Sequence, residues 1–179
     1  MKILKTVLLL AIAFAVILLI AGLFIKKNYV VEKEIVINKP IKEVFDYIKY
    51  LKNQDIYSVW QTKDPNMKKS FIGTDGKIGF VSAWNSELSE IGKGEQEIMS
   101  ITEGERLDFE LRFVKPLTVK EEAYMTTEYI SDNKTKVKWG FRVKMAYPKN
   151  IMLLVINMDE LLDKNLETSL VNLKNQLEK

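Results

Sequence analysis

The side chains able to do chemistry in this sequence are carboxylates, amines and phenols, because the chain contains no His and no Cys. The missing His removes the usual general base, the usual zinc ligand and both Ser-His-Asp and Cys-His catalysis. The missing Cys removes thiolate nucleophiles, disulfides, thiolate metal ligands and the attachment point for a lipid. Proton transfer would fall to Asp, Glu, Lys or Tyr. Glu87, Glu90, Glu95 and Glu97 form the densest acidic group and could supply a buried general base. The plainer reading is a solvated strand face, since unpaired acids rarely bury. Gly73–Gly76 and Gly92–Gly94 match neither the dinucleotide nor the P-loop pattern and precede strand-like rather than helical segments, so they read as turns. Lys134, Lys136, Lys138, Arg142 and Lys144 could face anionic lipid heads, although strand alternation alone accounts for their spacing. No metal site and no cofactor motif emerges.

The apolar side chains carry a second kind of chemistry, which is binding. Trp60, Phe80, Trp84, Phe109, Phe113, Trp139 and Phe141 could line a cavity for an apolar ligand. Each is individually at home in an ordinary core, where large aromatics dominate the packing. Which of these outcomes holds depends on the elements that carry them.

Those elements are legible in the periodicity. Tyr29 to Asn38 mixes β-branched residues with charges and reads as a first strand. Pro40 suits the first turn of a helix, and Ile41, Val44, Phe45 and Ile48 recur at helical spacing to about Tyr50. A second short helix or turn is expected near 53–59. The period then becomes two. Strands are expected around Phe80–Asn85 and Glu90–Thr102, then across Arg106–Lys115, Thr118–Ser131 and Lys134–Met145. In Arg106–Lys115, Leu107, Phe109, Leu111 and Phe113 point one way, and Arg106, Asp108, Glu110 and Arg112 the other. Val137, Trp139, Phe141, Val143 and Met145 form the matching apolar set near the end. The chain closes on an amphipathic helix. Met158, Leu161, Leu162, Leu166, Ser169, Leu170, Leu173 and Leu177 share one face, and Asp159, Glu160, Asp163 and Lys164 the other.

Before all this stands Thr6–Ile25, 20 residues without a charge. As a helix it measures about 30 Å, the thickness of a bilayer core. Residues 1–27 therefore read as a transmembrane anchor and 28–179 as the domain it carries. A cleaved signal peptide is the competing reading, but Leu23, Phe24 and Ile25 are poor neighbours for a cut, and the Ala-x-Ala matches at 11–15 lie too early. The lysines on the two sides nearly balance, and the short leading tail favours an extracytoplasmic domain. The net charge is +3, and without Lys2, Lys5, Lys26 and Lys27 the remainder stands at −1. Such a domain has no overall pull on phosphate backbones, which argues against nucleic acid as a partner.

A strand, short helices, about six antiparallel strands and a long C-terminal helix make an α+β chain. Its economical packing is a curved antiparallel sheet around that helix, preceded by the one transmembrane helix. Four segments, IVINKPIKEVFDYI (35–48), GTDGKIGFVSAW (73–84), GKGEQEIMSI (92–101) and DKNLETSLVNLKNQL (163–177), make residues 29–179 resemble the SRPBCC (START-like) superfamily. The likeness is to its polyketide cyclase/dehydrase and lipid-transport branch. The resemblance implies a helix-grip fold with a hydrophobic cavity between sheet and helix, in a scaffold that hosts lipid carriers, hormone receptors, cyclases and hydrolases. Leu162 and Leu166 would then face the aromatic set across the cavity. The reading that follows is a membrane-anchored, non-catalytic module for a lipid or other hydrophobic small molecule. One alternative is a cyclase- or hydrolase-type enzyme using Tyr or a carboxylate in the same cavity. Another is a tethered interaction protein whose cavity is filled by its own side chains, with Trp84, Trp139 and the C-terminal helix closing it.

Overall fold

The computed structural model describes residues 2–116, 118–154 and 158–179, with the side chains of Lys2, Tyr29 and 153–161 outside the description. The uncharged span Thr6–Ile25 lies in helix α1, Lys2–Phe24, except for its last residue, Ile25, which follows the helix. Among the described residues this is the one helix long and apolar enough to cross a membrane, and little of it is buried against the rest of the chain. A signal sequence would have the same length and composition. Its last turn is nonetheless held. The Asn150 side-chain amide donates to the carbonyls of Gly22 at 2.7 Å and Ile25 at 3.2 Å, taking two of the acceptors that a helix end leaves free. A Cβ on Gly22 would stand 2.6 Å from Ile151 Cγ1, so glycine is what lets the helix come this close.

The chain then runs β1 (Asn28–Ile37), α2 (Ile41–Ile48), a 3-10 turn (Leu51–Asn53), α3 (Gln54–Tyr57) and α4 (Val59–Thr62). Next come β2 (Lys68–Ile72), β3 (Val81–Asn85), β4 (Lys93–Thr102), β5 (Arg106–Lys115), β6 (Val119–Ser131) and β7 (Lys134–Lys144). A 3-10 segment (Lys149–Leu154) and α5 (Met158–Leu177) complete it. α2 begins at Ile41, one residue after Pro40, which takes the N-cap position rather than the first turn, and Val44, Phe45 and Ile48 are buried. Asp75, in the Gly73–Gly76 turn, accepts from the backbone N–H of Leu51 at 2.8 Å and Lys52 at 3.1 Å. This pins the turn to the helices instead of to any ligand.

All seven strands form one antiparallel sheet in the order β1-β7-β6-β5-β4-β3-β2. Register shifts at Lys93/Gly94, Ile98/Ser100 and Tyr129/Ser131 are bulges of the kind that bend a strand. Strand parity separates two faces. Ile37, Phe109, Leu107, Met125, Val137 and Trp139 are buried on the inner one, against α5. On the outer face Arg112 bridges Glu95, Glu97 and Glu110 at 2.5–2.7 Å. Lys136 meets Glu128, Lys138 meets Glu32, and Lys144 meets Glu122. Of the five-residue basic run, only Lys134 lacks an ion pair among the described residues; the run is a paired strand face and not a row of free cations.

Helix α5 buries Leu166, Ser169, Leu170, Leu173 and Leu177. Met158, Leu161, Asp159 and Glu160, assigned to its two faces by periodicity, lie outside the described side chains. Two side chains lock it to the short helices. Ser169 Oγ accepts from Val59 N at 3.0 Å, and Asn172 donates to the Tyr57 carbonyl at 3.2 Å. Asp163, expected to face water, instead reaches back to Lys33 of β1 at 2.9 Å. A curved antiparallel sheet closed on a long C-terminal helix is the helix-grip architecture.

Candidate functional site

The pairing register lays the inner-face residues in rows across the sheet. One row reads Ile98, Phe109, Ala123, Phe141 and Val31, and the next holds Leu107, Met125, Trp139 and Lys33. Trp60 comes down on these rows from α4, edge-on to Trp139 at 6.0 Å and to Phe141 at 5.6 Å. Tyr57 from α3 meets the other side of Trp139 at 5.9 Å, its hydroxyl 3.8 Å from Met125 Sδ. Such edge-to-face contacts suit the charge distribution of aromatic rings. Trp84 and Phe113 form a second pair at 5.8 Å, with the Trp84 indole N–H on the Ile91 carbonyl at 3.3 Å. A Cβ on Gly94 would stand 2.7 Å from Trp84, so the indole lies over a bare backbone.

The nine expected lining residues thus fall into distinct places. Trp60, Trp139 and Phe141 are one aromatic group; Trp84 and Phe113 are another. Leu166 is fully buried on α5, while Leu162, Trp60 and Phe113 are only partly buried at the margins of the core. Phe109 is enclosed within the sheet's inner face, and Phe80 stacks on Phe71 at 6.0 Å near the β2 edge, apart from both groups.

Several polar residues on this inner side were not singled out by the sequence pattern. Tyr47 and Tyr57 lie 6.3 Å apart, and burial raises the pKa of both phenols. Among the described residues the Tyr47 hydroxyl and the Trp139 indole N–H are buried without a partner. A third row, Ser82, Gln96, Leu111 and Glu121, crosses the face between the aromatic groups. Burial raises the pKa of the Glu121 carboxyl, and the Lys144 backbone N–H, 3.1 Å away, only partly offsets this. The acids picked out by density lie elsewhere. Glu95 and Glu97 are on the outer face with Arg112, and Glu90 pairs with Lys63 at 2.6 Å in the loop before β4. Among the described residues no three acidic side chains converge on a metal-sized point. A shallow depression of about 330 Å³ opens at the outer corner of β2, β3 and β4, with Lys68, Ser70, Ala83 and Lys93 around it.

The arrangement defines a class by its fold. No family model matches the chain, and no curated protein matches it significantly. Solved structures do. Norcoclaurine synthase from Thalictrum flavum, solved with a transition-state analogue, aligns at 11% identity over 83% of this chain and 96% of its own, with a TM-score of 0.58. The Aha1 dimer from Colwellia psychrerythraea aligns at 10% identity over 84% and 96%, also at 0.58. Ara h 8.0201 aligns at 12% over 84% and 97%, at 0.52. The chain therefore shares the fold of these solved structures, which it covers almost completely, and extends beyond the residues that align with them.

Proposed function

We propose that this chain is a bilayer-tethered binding module for an apolar small molecule or lipid, held between the inner face of the sheet and α5. The observation that carries the reading is the set Trp60, Phe113 and Leu162. These large apolar side chains stand at the margin of a continuous apolar wall and remain partly open, where a purely structural core would gain by sealing them. The tether rests on α1, which from Thr6 onward carries no charge and whose apolar side chains face outward, Leu8, Phe14 and Ile17 among them. The START-like lipid-transport branch is the part of the superfamily that suits both features.

Glu121 supports a second reading, a cyclase- or hydrolase-type enzyme in the same space. A carboxyl on the inner face whose pKa burial raises holds its proton more tightly than a free one, which suits a general-acid or general-base role.

Native mass spectrometry of gently extracted full-length protein tests the binding reading, with a co-purified apolar mass as the expected result. Alkaline carbonate washing tests the tether. Retention in the membrane fraction with an intact N-terminus is expected, and a mature chain beginning after Gly22 would refute it.

A further inference from the structure

The row Ser82, Gln96, Leu111, Glu121 is out of keeping with the surface it crosses. The row on one side, Ile98, Phe109, Ala123, Phe141 and Val31, is apolar, and the row on the other, Trp84, Gly94, Phe113 and Val119, is broken only at its edge by Lys69, which Asp55 neutralises. Ser82 and Gln96 are register partners on neighbouring strands, 7% and 6% exposed, and neither side chain makes a hydrogen bond among the described residues. The hydroxyls of two other buried serines do find partners, Ser86 on Asp64 and Ser169 on the Asn165 carbonyl. Unlike the Tyr47 hydroxyl and the Trp139 indole N–H, the polar atoms of Ser82 and Gln96 are not wholly sealed from solvent, so an apolar ligand that covered them without offering a partner would cost their hydration. A β4 strand that already carries Ile98 on this face could have carried a Leu at 96.

We infer that Ser82 and Gln96 are a polar subsite for an uncharged hydrogen-bonding group, a hydroxyl above all, on an otherwise apolar ligand. The inference rests on the ligand-binding reading proposed above and specifies what the ligand must carry. A hydrocarbon would leave both side chains unpaired, so the ligand brings its own donor and acceptor. The amide and the hydroxyl can each donate and accept, which a hydroxyl answers on both sides. An anionic head is disfavoured, because among the described residues no unpaired cation lies on this row or the rows beside it. Lys69, the nearest on the inner face of β2, is spent on Asp55 at 2.7 Å and the Gln61 carbonyl at 3.3 Å. Glu121, two strands away in the same row, adds negative charge.

The test uses the full-length chain in mild detergent and native mass spectrometry with three probes: hexadecanol, its methyl ether and hexadecanoate at pH 8. The unmodified protein should bind the alcohol about tenfold or more tightly than either other probe, because the ether lacks the donor and the carboxylate carries charge. Gln96→Leu with Ser82→Ala should bring alcohol and ether within about twofold of each other while ether binding persists. Ser82→Ala alone deletes a single oxygen and keeps the test decisive if the double variant does not fold; it should cut the preference at least about threefold. An alcohol preference that survives these changes, or tightest binding of hexadecanoate, overturns the subsite and leaves the binding module standing. Failure of the unmodified protein to take up either neutral probe overturns the module itself, and the subsite with it.

Discussion

Truncating Phe109 to alanine removes a ring that is 1% exposed and lies in register between Ile98 and Ala123. The strand partners are fixed by backbone hydrogen bonds, and Ala123 is too small to swing into the space, so the site cannot collapse. The cost should sit at the upper end of the range for a buried aromatic, about 3–5 kcal/mol. For a domain of this size that lowers Tm by roughly 10 °C. Trp60→Ala is the matched comparison. Trp60 is partly open, and its enclosed contacts are the two edge-on rings of Trp139 and Phe141. At about 0.5–1.5 kcal/mol for each aromatic pair, its loss should cost about 1–3 kcal/mol and less than Phe109→Ala. It should also weaken binding of a fluorescent fatty alcohol, which Phe109→Ala should not do at temperatures where the variant remains folded. Thermal unfolding followed by near-ultraviolet circular dichroism, with probe binding on the same samples, gives both readouts. Equal stability losses, with binding unaffected by Trp60→Ala, would refute the division of the apolar wall into sealed core and open margin.

Two further outcomes follow from single side chains. Burial raises the Glu121 pKa in the folded state, so the folded chain holds that proton more tightly than the unfolded one. Its contribution favours folding at acid pH and is lost as pH rises through the folded value. Glu121→Gln should therefore melt higher than the unmodified protein at pH 7, with the difference shrinking towards pH 4; a variant that is less stable at pH 7 would contradict this. Gly94→Ala would drive a Cβ to 2.7 Å from Trp84 and 2.8 Å from the Arg112 carbonyl, costing about 1–3 kcal/mol and shifting Trp84 fluorescence. An unchanged melting curve would show that the indole does not sit over that backbone.

The strands that alternate cleanly could be read from the sequence alone. In β5 every second residue is apolar, and its inner and outer sets fall where parity places them. Helix α2 and the buried face of α5 from Leu166 onward were equally plain. Strand β6 was expected over Thr118–Ser131 and spans Val119–Ser131, but its two faces could not be read, because its apolar residues break parity. Tyr124 points outward, where its ring covers Gly140 and lies against the guanidinium groups of Arg106 at 4.4 Å and Arg142 at 5.3 Å. Glu121 points inward. A tyrosine looks apolar and a glutamate looks solvated until the neighbouring strands are known, so the interior carboxyl could not be recognised. Ser82 and Gln96 were hidden for the same reason. The first sits in the alternation of Phe80, Ser82 and Trp84, the second among acids that face the other way. The edge strand β2, with only Phe71 and Ile72 apolar, gave no period at all.

The Asn150 cross-link changes what kind of joint the domain hangs from. Three residues without helix or strand, 25–27, separate α1 from β1, and left alone they would act as a short length of slack rope. Asn150 lies 0% exposed between that rope's two ends, gripping carbonyls on the last turn of α1, and Met145 N takes the Lys27 carbonyl at 2.8 Å just beyond. The joint becomes a bracket. Were α1 seated in a bilayer as proposed, the domain would keep one stand-off height and one side towards the lipid. A full extra turn added to the helix would raise it by about 5 Å, with no slack to absorb the change.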